Sequence, residues 1–186
     1  MPRQIIEFDP PERFVAGTVG EPGQRTFFLQ ATGGGRVTSV ALEKAQVTAL
    51  AERVEELLDE VLRRSGGTAA VPAVAPAELE DKAPLDAPIL EEFRVGTMAL
   101  SWDGEGERVV IEAQAMATET GEEEPLVADD EDGPPLLRLR LTGSMARAFA
   151  KRALSVVSAG RPPCPFCGLP LDPAGHICPR ANGYRR

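Results

Sequence analysis

Apolar and polar positions alternate in short runs at the start of the chain. Gln4–Phe8, Arg13–Val19, Arg25–Ala31 and Arg36–Val40 each read as a strand. Asp9-Pro10-Pro11, Gly20-Glu21-Pro22-Gly23 and Gly33-Gly34-Gly35 separate them. Short β-rich runs punctuated by Gly and Pro predict an antiparallel meander. From Glu43 to Arg64 the period lengthens, with Val47, Leu50, Val54, Leu57, Leu58, Val61 and Leu62 at spacings of three and four. That stripe predicts one amphipathic helix, which Gly66-Gly67 ends.

Residues 66–89 lose all periodicity and are rich in Ala and Pro, which predicts an extended linker. Beyond it the first pattern returns. Phe93-Arg94-Val95-Gly96-Thr97-Met98 echoes Phe14-Val15-Ala16-Gly17-Thr18-Val19, and Asp103–Gly106 turns into a strand over Arg108–Ala115. Leu136–Leu141 alternates apolar with basic, as a half-buried strand does. Thr142 is a candidate N-cap for a last helix. Met145, Phe149, Ala153, Val156 and Val157 would line its buried face, with Arg147 and Lys151 together on its surface.

Two similar halves, roughly 13–64 and 93–159, suggest an internal repeat. The expected architecture is α+β: a mostly antiparallel sheet from two β-hairpin-plus-helix halves, both helices on one face, with a small C-terminal zinc-knuckle appendage. The expected divisions are 1–64, a linker 65–90, a second half 91–160 carrying an acidic, disordered insert 118–135, and a tail 161–186.

Composition changes this picture little. An apolar fraction of 42% supports an ordinary core, and only 5% aromatics leaves it to Val, Leu, Ala and Phe. No apolar run approaches the ~18 residues of a membrane span. The start of the chain lacks the apolar core of a secretory signal, so no membrane insertion and a cytoplasmic location are expected. Charge is more informative. Residues 118–133 hold eight acids and no base, whereas 138–186 hold nine bases against Asp172 alone. An acidic body thus ends in a basic quarter, which bears on partners rather than on fold.

The candidate chemistry lies at the end of the chain. Cys164-Pro165-Phe166-Cys167-Gly168, followed by His176-Ile177-Cys178, contains every cysteine and the one histidine of the protein. Two thiolates two residues apart can grip one metal ion from a tight turn, and an imidazole and a third thiolate complete a tetrahedron. Cys164, Cys167, His176 and Cys178 are therefore the expected ligands of a closed, structural Zn2+ site. Without His176 the set falls to three cysteines, and a labile or catalytic role opens. Iron in place of zinc stays open.

Other constellations are weaker. The acidic insert lacks the ligand order of a calcium loop. Gly33–Gly35 separates two strands and lacks the Lys-Ser/Thr of a phosphate-binding loop. Asp103, Glu105 and Glu107 beside Trp102 occupy a wet turn. With the histidine committed to metal, no Ser-His or Cys-His nucleophile pair can be assembled.

The ending from Ala159 to Tyr184, together with Arg13–Val19, resembles an actinobacterial family of conserved, repeat-containing proteins of unknown function. That resemblance implies a cytoplasmic bacterial protein. Members tend to be encoded beside a phosphoglycerate-mutase-like phosphatase and a lipid-kinase-like protein, which implies a shared pathway and transfers no catalytic residue.

The expected function is a non-catalytic zinc-binding interaction or scaffold protein whose partner is another protein. The first alternative is a nucleic-acid-binding module using Arg147, Lys151, Arg152, Arg161, Arg180, Arg185 and Arg186, although Phe166 and Tyr184 are the tail's only aromatics. The second is an enzyme acting on a phosphorylated metabolite through Gly33–Gly35, Arg25 and Arg36. The oligomeric state is not legible.

Overall fold

A computed structural model describes residues 2–21, 23–117, 124–160, 163–169, 171 and 178–180. The strands are β1 (Ile5–Phe8), β2 (Arg13–Val19), β3 (Thr26–Gly33), β4 (Arg36–Leu42), β5 (Glu91–Asp103), β6 (Arg108–Ala115) and β7 (Leu136–Leu141). The helices are α1 (Lys44–Ser65), after β4, and α2 (Gly143–Ser158), after β7. One seven-stranded sheet results, in the order β1-β7-β6-β5-β4-β3-β2. Three strands followed by a helix occur twice, and β5 joins the halves by lying parallel to β4.

Local chemistry explains the elements. Gly33 pairs with Arg36, leaving Gly34 and Gly35 as a two-residue turn at φ 59° and 76°. Positive φ at both central residues gives the turn a twist that matches the strands it joins. Helix α1 opens where the Glu43 N–H donates to Gln46 Oε1 at 2.8 Å. Thr142 caps α2 as expected, its Oγ1 accepting from the Met145 N–H at 3.1 Å.

The sheet is mixed. Four junctions are antiparallel, while β1–β7 and β4–β5 are parallel. The second parallel junction follows from the route of the chain. It leaves β4 into α1 and must come back to start β5 at the same end, which only a long crossover permits.

Alternate strand residues face the helices: Phe14 and Ala16, Phe27, Leu29 and Ala31, Val109, Ile111 and Ala113, Leu137, Leu139 and Leu141. They meet Val47, Leu50, Val54 and Leu58 of α1 and Ala146, Phe149 and Ala153 of α2. Phe14 stacks on Phe149 with ring centroids 4.4 Å apart. Each such fully buried Leu, Val or Phe stabilises the fold by about 1.5–3 kcal/mol relative to exposure.

The sequence analysis places Arg147 beside Lys151 on the open surface of α2; the structure corrects this. Arg147 is 1% exposed. Its guanidinium bonds Glu55 of α1, donates to Asp59 at 2.7 Å and reaches the Pro72 carbonyl at 2.9 Å. A long aliphatic stem allows such burial when acceptors from three segments take up the charge.

The Ala/Pro-rich stretch is an ordered strap. From α1 it passes α2, where Val71 packs against Gly143. It then rounds the outer edge of β2 and crosses the face opposite the helices. There Leu85 lies on Gly17, whose missing side chain makes room for it. Gln30, 1% exposed in β3, clamps the strap: its Nε2 donates to the Asp86 carbonyl at 3.0 Å and its Oε1 accepts from the Asp86 N–H at 2.8 Å.

Gln114 of β6 does the same for the acidic segment. Its Nε2 donates to the carbonyls of Glu124 and Pro125, and its Oε1 accepts from the Val127 N–H and from Arg3 Nη1. Residues 124–135, expected as a disordered excursion, are thus held against the sheet in their first part, and Asp129 pairs with Arg138 at 2.7 Å. Residues 118–123 of that expected insert lie outside the described residues. A carboxamide can satisfy a passing main chain on both its N–H and C=O sides, which no apolar residue does.

At the sheet edge the strap is fastened through Asp81. Arg13 Nε and Nη2 donate to its two oxygens at 2.6 and 3.1 Å, and Arg152 Nη1 reaches Oδ1 at 3.1 Å. The bond from Arg13 holds the Asp81 carboxyl below the usual carboxylate range, against the opposing effect of burial. A pKa depressed on folding contributes stability above the unfolded value of about 3.9. That contribution is lost as pH falls through the native value. Asp81→Asn is therefore expected to cost about 1 kcal/mol at neutral pH after allowance for solvent screening. The variant and the wild type should converge below pH 4, and urea titrations across that range check it. A penalty that persists unchanged in acid would mean the bond is not ionic.

Candidate metal centre

Downstream of α2 the chain turns tightly at Cys164. The Gly168 N–H donates to the Cys164 carbonyl at 2.9 Å, and the Cys164 N–H donates to the Leu169 carbonyl at 2.8 Å. The turn closes because Gly168 adopts φ 75°, a conformation that side chains disfavour. Folding back in this way aims backbone N–H groups at the sulfurs.

Those N–H groups tune the thiols. The Cys167 N–H, joined by that of Phe166, lowers the Cys164 thiol below its ordinary value and outweighs the effect of desolvation. At Cys167 the Leu169 N–H also favours the thiolate, but desolvation and the neighbouring Cys164 and Cys178 sulfurs push that thiol up overall. The turn thus favours the thiolate at Cys164 and disfavours a second negative charge beside it at Cys167.

Cys178 comes from a separate stretch and closes the cluster. Its Sγ lies 3.8 Å from Cys164 Sγ, and all three sulfurs fall within 4.8 Å of one another. Cys164 and Cys178 are buried and Cys167 half-buried, and all three are free of disulfides. The spacing fits a metal. With bonds of about 2.3 Å, two thiolates on a tetrahedral zinc stand about 3.8 Å apart. Three soft donors at this separation could hold one ion. His176, the expected fourth ligand, lies outside the described residues. The sequence pattern therefore brought together three of its four candidates, while the N–H donors belong to the main chain and left only Gly168 as their signal.

The knuckle also leaves apolar side chains in water. Phe166 is 64% and Leu169 51% exposed.

Four of the six described bases of the basic quarter are used inside the fold. Arg138 pairs with Glu112 and Asp129, Arg140 with Glu7, Arg147 with Glu55 and Asp59, and Arg152 with Asp81. Lys151 and Arg180 are exposed, and Arg161, Arg185 and Arg186 lie outside the described residues.

The expected phosphate constellation does not converge. Gly33–Gly35 and Arg25 sit at opposite ends of β3, which at ~3.3 Å per residue are about 25 Å apart. Arg25 is spent on the Val156 carbonyl and on the ring of Phe27. The turn after Trp102 is wet, with Asp103 Oδ1 accepting from the N–H groups of Glu105 and Gly106. No helix among the described residues is long and apolar enough to cross a membrane.

A family model described as a protein of unknown function, DUF3090, matches residues 6–178. No curated protein and no solved structure matches the chain.

Proposed function

The chain belongs to the DUF3090 family, and from that premise we propose that it is a non-catalytic interaction protein holding one structural zinc ion. Cys164, Cys167, His176 and Cys178 are its ligands. The observation that carries this reading is the convergence of three thiols within 4.8 Å of one another, around a turn whose N–H groups favour the Cys164 thiolate. Four protein ligands leave no open position for a reacting water, so the ion would act as a staple for a segment too short to build its own core. When bound, zinc supplies charge neutralisation and cross-linking. The chain's part is to hold Phe166 and Leu169 outward on a rigid knuckle, where another protein can cover them. A reducing compartment such as the cytoplasm suits free thiols of this kind.

The nucleic-acid alternative is less well supported, because two of the bases it would use, Arg147 and Arg152, are bonded to carboxylates of the same chain.

Native mass spectrometry with elemental analysis tests the assignment. The wild type should carry one zinc per chain, and Cys164→Ser/Cys167→Ser should carry none while its sheet and helices stay folded. His176→Ala should weaken retention against a chelator by about 10–100-fold if the imidazole is a ligand. A wild type that is purified without metal and takes up no added zinc would overturn the reading.

A further inference from the structure

The cleft between α2 and the strap is built from a different part of the molecule and does not depend on the metal. It encloses about 250 Å³. Ala75 and Pro76 of the strap and Ala148 and Val156 of α2 supply its apolar walls. Lys151, Arg152 and Ser155, within one turn of α2 and its next residue, supply its polar side. Small-molecule sites typically have this composition, apolar walls with a few convergent polar groups.

Arg152 is the fixed point. Its Nε donates to the Ala16 carbonyl at 2.9 Å, and its Nη1 donates to the Asp81 carbonyl at 2.7 Å and to Asp81 Oδ1 at 3.1 Å. These bonds hold the guanidinium plane rigid, and among the described residues none accepts from Nη2. The side chain is only 13% exposed. Burial works against its charge, and Asp81, which opposes that effect, is shared with Arg13. Lys151 beside it is exposed and makes no ion pair among the described residues. The carboxylates at the rim are already committed, Glu80 to Lys82 at 3.4 Å and Asp81 to Arg13 and Arg152.

We propose that this cleft binds the phosphate group of a small phosphate monoester, with its organic part against Ala75, Pro76, Ala148 and Val156. Arg152 Nη2 offers two donors, Lys151 Nζ three and Ser155 Oγ one. That is more than a carboxylate's two oxygens use well, and it suits the three terminal oxygens of a phosphate dianion. The cleft thereby gives a protein of net charge −9 a local site for an anion. No reaction is assigned to it: its carboxylates are bonded to cations of the same chain, Glu80 to Lys82 and Asp81 to Arg13 and Arg152.

Phenyl phosphate is the probe, titrated into the full-length protein and followed by backbone amide shifts in NMR. Saturable shifts confined to residues 75–82 and 148–156 are expected. Lys151→Ala, at an exposed position, should weaken binding by about tenfold or more, and Ser155→Ala by less. Arg36→Ala, which removes the same charge from a distant hairpin, should leave it unchanged. Absence of saturable shifts at millimolar probe, or equal weakening by Lys151→Ala and Arg36→Ala, would overturn the site. Benzoate binding as tightly as phenyl phosphate would overturn the assignment of phosphate.

Discussion

Replacing Glu55 and Asp59 together by Gln and Asn is expected to destabilise the protein by about 3–5 kcal/mol, because it strips the counter-charges from a guanidinium that has no route to water. Arg147 is 2% exposed in its side chain, whereas Glu55 is 34% and Asp59 70% exposed. The asymmetry decides where the penalty falls. The carboxylates could be hydrated without the arginine, but the arginine cannot be hydrated without unpacking α1 from α2. Thermal midpoints should drop by about 10 °C or more for a chain of this size. Glu55→Gln alone should account for most of the loss, since Asp59 is largely screened by solvent. Adding Arg147→Met to the double variant should recover much of it, because an apolar side chain of similar length needs no partner. Denaturant unfolding of the four proteins tests this. A double variant within about 1 kcal/mol of the wild type would show that the guanidinium finds water after all.

The second large effect is expected at Gln114. Gln114→Leu preserves approximate volume and removes every hydrogen bond that ties residues 124–127 to β6. It also removes an acceptor from Arg3, whose Nε is already buried without a partner. The main-chain groups of Glu124 and Pro125 lie near solvent and can be rehydrated, whereas Arg3 cannot. A cost of about 3 kcal/mol follows, with most of it from the guanidinium, which keeps Asp129 at 3.6 Å but loses its hydrogen bond to Gln114. Hydrogen exchange at the Val127 amide should speed up by more than exchange in the core of α2. Gln30→Leu is the matched case on the other half and should release Asp86 in the same way.

Much of this architecture was legible from periodicity. Both helices, the two-residue turn at Gly34-Gly35 and the Thr142 cap follow from local rules, and the strand runs fall close to where alternation puts them. What periodicity could not reveal is what covers the second face of the sheet. Gln30 sits between Leu29 and Ala31, and Gln114 between Ala113 and Ala115, so each reads as an ordinary outward polar residue. Only the arrival of a segment about 56 or 10 positions later buries them. What orders the linker is hidden from the sequence for a related reason. Its alanines and prolines carry no pattern of their own, and its order comes from Arg13, Gln30, Arg147 and Arg152, all distant in sequence. Arg147 follows the same logic, since a four-residue spacing to Lys151 is blind to acids on another helix. The cysteine cluster was the easiest to find, because Cys164 and Cys167 announce themselves at a spacing that has few other uses.

The strap has one more implication, for the order in which a ribosome makes the protein. Pro72 and Asp81 are synthesised long before Arg147 and Arg152, which hold them, and β1 must wait for β7 before it has a neighbour. A nascent chain that has emerged as far as the end of α1 therefore has a hairpin sheet and a helix, but nothing to shelter that helix's partner face. Contacts this remote in sequence slow folding. The strap and β1 are therefore secured only once β7 and α2 have been made, although they precede them in the chain.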